Sequence, residues 1–150
     1  MTATRMFKRC CPLAAAVLLL LAVLFLSVPA PRHADAGEGL PELATMQDVE
    51  QAINTLSPVL IQFDAKWCGY CRALQPHLQK LRDKNLKSDL HMYKIDVDNA
   101  KDVAAEFGVR SLPTMFIVHK GKVVGYKRGG ISEGELFDWV AGVQAEIRKG

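Results

Sequence analysis

Apolar positions along the chain change period several times, and each change marks an element. Met46, Val49, Ala52, Ile53 and Leu56 recur at helical spacing behind Thr45 and Asp48, which stand as in a capping box. "PVLIQFDA", Pro58 to Ala65, is a short apolar run with β-branched and aromatic members, the pattern of a buried strand. A helix from about Cys68 follows, carrying Ala73, Leu74, Leu78 and Leu81, with a kink expected at Pro76. "LHMYKIDVD" alternates as a second strand, and "NAKDVAAEFG" predicts a short helix capped by Asp98 or Asn99 and stopped at Gly108. "TMFIVHKGKVVGYKR" reads as a hairpin turning at Lys120 and Gly121. "SEGELFDWVAGVQAEI" opens with Ser132 and Glu135 in capping-box spacing and places Leu136, Trp139, Val140 and Val143 on one apolar face.

Strands separated by helical crossovers imply a parallel pair, and the late hairpin adds antiparallel strands. The expected fold is α/β, a mixed central sheet of four to five strands with helices on both faces. The fifth strand would come from "ELAT", ahead of the first helix. No internal repeat or low-complexity segment interrupts the pattern.

One stretch fits no element of a globular domain. Arg5, Lys8 and Arg9 precede an unbroken apolar segment from Leu13 to Leu26, fourteen residues that suit the core of an export signal and fall short of a comfortable membrane span. Pro29 and Pro31 break any continuing helix, and Ala34 and Ala36 offer a small-x-small cleavage site before Gly37. Residues 1–36 are therefore expected to be a signal peptide, with an uncleaved anchor as the alternative if the helix extends to Ala30 and tilts. Either way the domain at 37–150 faces the outside of the cytoplasm.

The leader also explains the charge. The whole chain carries a formal +3, and Arg5, Lys8, Arg9 and Arg32 against Asp35 account for all of it. From Gly37 onward the balance is neutral, which gives no electrostatic reason to expect a nucleic acid or an anionic surface as partner. At 150 residues and 49% hydrophobic content, one ordinary globular domain fits. Of four cysteines, Cys10 and Cys11 belong to the leader. Cys68 and Cys71 remain.

That pair sits in "KWCGYCRALQP", where a strand gives way to a helix. Cys68 is then at the helix start and Cys71 one turn on, on the same side, where the two can meet in a disulfide. Unpaired N–H groups and the positive end of the helix favour a thiolate on the first cysteine, which makes it a nucleophile toward disulfides, with Cys71 as the resolving thiol. A purely structural disulfide closing so short a loop would stabilise little. A zinc site needs about four ligands, and His77, His91 and His119 fall on different elements, so no metal is expected. Trp67, beside the cysteines, is a candidate lip of the site, whereas Trp139 is a core candidate.

"VLIQFDAKWCGYCRALQP" resembles the strand, W-C-G-x-C site and proline-bearing helix of the thioredoxin family. "SLPT", Ser111 to Thr114, resembles that family's site loop, and Gly129 before "ISEGEL" its late glycine. The resemblance runs from about Leu40 to Lys149 and implies a thioredoxin fold and thiol-disulfide exchange. It also implies a cis Pro113 and backbone hydrogen bonds from Leu112 to an extended substrate across from Cys68. Trp67, Gly69, Tyr70, Leu112, Pro113 and Gly129 become the expected substrate-binding set.

Two positions depart from the family. Gln62 stands where thioredoxins usually bury the aspartate thought to take the proton from the resolving cysteine. Glutamine cannot take it, and Asp64 on the same strand face, or a water held near Lys94, is expected to do so. Tyr70 replaces a proline and restores a backbone N–H, expected to point at the Cys68 sulfur and make the disulfide more oxidising.

The leading function is an exported thiol-disulfide oxidoreductase that reduces or isomerises disulfides of other extracytoplasmic proteins, most naturally in a bacterial periplasm. It would act as a monomer, kept reduced by a membrane electron donor and needing no cofactor. A disulfide-introducing oxidase is the enzymatic rival, and a peptide-binding or chaperone module the non-catalytic one. Retention of both cysteines argues against the last, because binding alone does not need them.

Overall fold

The computed structural model describes residues 39–84 and 89–150, so the leader and its cleavage-or-anchor alternative lie outside the described residues. Along the chain come α1 (Met46–Ile53), β1 (Val59–Asp64), α2 (Gly69–Lys84), β2 (His91–Asp96), α3 (Lys101–Glu106), β3 (Thr114–His119), β4 (Lys122–Arg128) and α4 (Glu133–Lys149). The strands form one sheet in the order β2-β1-β3-β4. β1 runs parallel to β2 and antiparallel to β3, and β3 pairs antiparallel with β4. This is the mixed α/β sheet that the periodicity predicts.

β1 is buried on both faces, as a central strand must be. Leu60 points toward one side, where Leu74, Leu78 and Leu81 of α2 and Leu136 and Val140 of α4 pack with Met115 and Ile117 of β3. Val59, Ile61 and Phe63 point to the other, against Val49 of α1 and Val103 of α3. There Phe63, Phe107 and Phe116 meet with ring centroids 5.3 to 5.7 Å apart. Each such pair contributes about 0.5–1.5 kcal/mol beyond its buried area. Period-two alternation thus sorts β1 between two cores, and it sends Gln62 and Asp64 to the α2 side with Leu60.

Four features differ from expectation. "ELAT" makes a single bridge, Glu42 to Lys94, instead of a strand. Pro41 has no N–H to extend a ladder, and the N–H groups of Ala44 and Thr45 already bind the Asp48 carboxylate, at 3.2 and 2.8 Å. α1 ends at Ile53 and leaves Leu56 84% exposed. The chain must become extended before Pro58, which cuts the helix short. α3 begins after Ala100 with no side-chain cap. The expected caps are diverted to Asp96, whose carboxylate accepts from the Asp98 N–H at 3.0 Å and the Asn99 side chain at 3.3 Å. Trp139 is only half-buried, packed against the edge of the core.

Both capping boxes form, Thr45 with Asp48 and Ser132 with Glu135. α2 continues through Pro76, held by its buried leucines. The β3–β4 turn uses positive φ at Lys120 (50°) and Gly121 (73°), the two-residue geometry that suits the twist of a hairpin.

Candidate active site

The carboxyl end of β1 delivers the chain into the site. Ala65 ends the buried run, Lys66 and Trp67 are exposed, and Cys68 immediately precedes α2. Cys68 occupies the position of a helix cap. Its carbonyl accepts from the Arg72 N–H at 3.2 Å, and its sulfur accepts from the Cys71 N–H at 3.1 Å. A sulfur held there faces the positive end of α2, which lowers the energy of a thiolate relative to a thiol. Cys68 and Cys71 are joined in a disulfide with Cα atoms 5.2 Å apart.

The N–H that reaches the Cys68 sulfur is therefore that of Cys71 and not, as expected from the sequence, that of Tyr70. A proline at position 70 would leave this donor in place.

Around the disulfide the fold gathers residues distant in sequence. Leu112 and Val97 pack against Ala65, Cys68 and Cys71. Thr114 pairs with Phe63, which brings the loop before β3 alongside the end of β1. The Leu112–Pro113 peptide bond is cis. The Pro113 carbonyl accepts from the Gly129 N–H at 2.8 Å, and Gly129 has a φ of +89°, a conformation that glycine adopts without strain. Tyr70 lies across the neighbouring glycine: a Cβ built on Gly130 would stand 3.2 Å from the tyrosine ring.

A groove of about 530 Å³ runs beside Cys68 between Trp67 and Tyr70 on one wall and Arg110, Ser111 and Leu112 on the other. The two aromatic residues are 68% and 74% exposed. Large apolar side chains left open in a cleft mark a surface that is covered on binding. Trp67 is held in place, its indole N–H donating to the Asp98 carboxylate at 2.9 Å.

A polar cluster lies between α2 and the sheet, where Gln75 meets Gln62 and Asp64. Gln62 is fully buried, and its side-chain nitrogen has no partner. Asp64 is 9% exposed. Burial pushes its carboxyl up to about 6 against the pull of the Lys94 cation, with Asp96 and Glu42 adding to the rise and a Gln75 hydrogen bond opposing it. Lys94, opposite Gln62 in the β1–β2 register, is bound to the Glu42 carboxylate at 3.1 Å.

Of the expected site residues, Trp67, Cys68, Gly69, Tyr70 and Leu112 line the groove, and Cys71 is bonded to Cys68. Pro113 follows Leu112 and binds Gly129 through its carbonyl. Asp64 lies between β1 and α2 against Gln75, and Lys94 stands one strand away. His77, His91 and His119 fall on α2, β2 and β3, and no group of three potential ligands is placed for a metal among the described residues. Sequence reasoning missed Asp98, Arg110, Gln75 and Gly130. Asp98 and Arg110 lie 31 and 43 residues from Trp67, so only the fold brings them to the site. Gln75, four residues after Cys71, was visible in the helical spacing.

Residues 41–142 match the family described as Thioredoxin. The chain belongs to the thioredoxin family. It is 30% identical to the probable thioredoxin-2 of Caenorhabditis elegans over 115 residues, 76% of this chain and 79% of the relative. It is also 30% identical to the thioredoxin of Mycoplasmoides gallisepticum, over 65% of this chain and 95% of that one. Among solved structures, the oxidised mitochondrial thioredoxin 3 of Saccharomyces cerevisiae superposes with a TM-score of 0.62 at 29% identity, covering 71% of this chain and 94% of that one. Fasciola hepatica thioredoxin gives 0.61 at 31% identity, over 66% and 94%. The sheet, the cysteine pair and the family together make this chain a thioredoxin-like thiol-disulfide oxidoreductase, and thioredoxins act on cysteine-containing protein substrates.

Proposed function

We propose that this oxidoreductase is exported and reduces or isomerises disulfides in other extracytoplasmic proteins, in a bacterial periplasm. The basic residues and apolar segment of 1–36 support the location. The observation that carries the chemistry is the Cys68 sulfur at the start of α2, with a backbone N–H aimed at it and a groove beside it.

In the reduced protein Cys68 attacks one sulfur of a substrate disulfide as the thiolate. A Cys68–substrate disulfide forms, the substrate disulfide breaks, and the leaving thiolate takes up a proton. Asp64 accepts the proton of Cys71, with Lys94 supporting the transfer electrostatically. The Cys71 thiolate then attacks Cys68, the internal disulfide forms, and the second substrate thiolate leaves. Two electrons have passed from the dithiol to the substrate, and a membrane electron donor restores the dithiol. Trp67, Gly69, Tyr70, Leu112, Pro113 and Gly129 hold the substrate segment across the groove, Leu112 through its backbone.

The test is capture of partners by Cys71→Ser produced with its own leader. Disulfide-linked adducts with exported proteins, released by a thiol reductant and absent from Cys68→Ser, are the expected result. Adducts confined to cytoplasmic proteins would contradict the location. Equal handling of substrate by wild type and Cys71→Ser would favour the peptide-binding module.

A further inference from the structure

We propose that Gln75 is a positioning residue for this exchange: its amide ties the Asp64 carboxylate to the turn of α2 that follows Cys71, the thiol whose proton must leave. The inference rests on the assignment of Asp64 as proton acceptor and deepens it.

Gln75 and Cys71 are four residues apart on α2, one above the other on the face turned to the sheet. Gln62 and Asp64 are two apart on β1 and share the face turned to α2. Where these faces meet, the Gln75 side-chain nitrogen lies 3.3 Å from an Asp64 oxygen and 3.5 Å from the Gln62 carbonyl oxygen. One amide therefore spans both polar side chains that β1 turns toward α2.

The surroundings single out Asp64 as the carboxylate free to act. Asp96, its partner across the β1–β2 register, is already bound by the Asp98 N–H and the Asn99 side chain. Glu42 is engaged with Lys94. Asp64 faces Lys94 and Asp96 from β2, Glu42 from the segment before α1, and Gln75 from α2, one turn beyond Cys71. Burial disfavours the charged form most, Lys94 draws the group toward that form and the two carboxylates away from it, and Gln75 is the neutral donor that orients the carboxylate and adds a smaller pull toward ionisation. An apolar residue at position 75 would leave a buried carboxylate, and the buried Gln62 amide, short of a partner.

Two measurements on the full chain test this. NMR titration of the Asp64 carboxyl in the oxidised protein should move up measurably in Gln75→Met, which keeps volume and helix propensity but removes the donor. Gln75→Glu, which adds a like charge, should move it up as well. The acid limb of mixed-disulfide resolution should move with it, and Gln75→Met should have no further effect on that limb in an Asp64→Asn background. An Asp64 titration unmoved by Gln75→Met overturns the tie between the two residues. A titration that moves while the acid limb stays fixed overturns the role of Asp64 as acceptor, and the inference with it.

Discussion

Asp64 is a carboxylate whose burial costs stability, and the cost depends on pH. In the unfolded chain an aspartate titrates near 3.9, and in the fold burial raises Asp64 to about 6. Between these values the folded state holds the proton that the unfolded state has released, so this group's contribution falls as pH rises from about 4 through 6. Two pH units correspond to about 3 kcal/mol. Asp64→Asn, neutral and nearly isosteric, should therefore be more stable than wild type at pH 7 by about 1–3 kcal/mol, with the gap closing below about pH 4. Urea denaturation across that range checks it, and a gap that is constant with pH would contradict it. The site's chemistry was legible in Cys68 and Cys71, because spacing along one helix turn fixes where they point, and in Trp67 by its place directly before them. The hydrogen bond at the Cys68 sulfur was not, because Tyr70 and Cys71 both carry an N–H in that turn and only the backbone path selects between them.

At the scale of elements, close approaches set what the fold tolerates. Gly125 of β4 is buried under α4, and a Cβ there would lie 3.1 to 3.2 Å from Val143, Ile117 and Trp139. Gly125→Ala should cost about 1–3 kcal/mol in chemical denaturation, while Gly134→Ala, with open space around it, should cost nothing measurable. Gly130, which joins β4 to α4, supports the Tyr70 ring at the start of α2. Gly130→Ala should raise KM for a disulfide-bonded peptide severalfold, and the rise should vanish in a Tyr70→Ala background, because a pre-set aromatic wall contributes to affinity. Steady-state kinetics of the four proteins decide this. Neither contact could be seen in the sequence, since each glycine meets residues from other elements. The helix caps were visible where the capping residue and its partner are three apart, at Thr45 and Ser132. At α3 local spacing misled, because Asp96 draws the Asp98 N–H and the Asn99 side chain toward itself.

Over the whole molecule the periodicities were enough to order the elements, since each strand and helix has one dominant period and the connections are short. They were not enough to number the strands, because pairing of the segment before α1 depends on its neighbours and stops after one bridge. The two cores, one on each side of β1, hold the sheet while the site is assembled at one end of it from the α2 start and the loops before β3 and α4. Such a site acts as a unit, so loss of either cysteine should remove turnover by different routes. The direct measurement is catalytic reduction of insulin disulfides by a thiol donor, with wild type, Cys68→Ser and Cys71→Ser compared. Wild type should turn over many equivalents, Cys68→Ser should show only the uncatalysed background, and Cys71→Ser should stall as a covalent adduct through Cys68. Turnover by Cys68→Ser comparable to wild type would contradict the account.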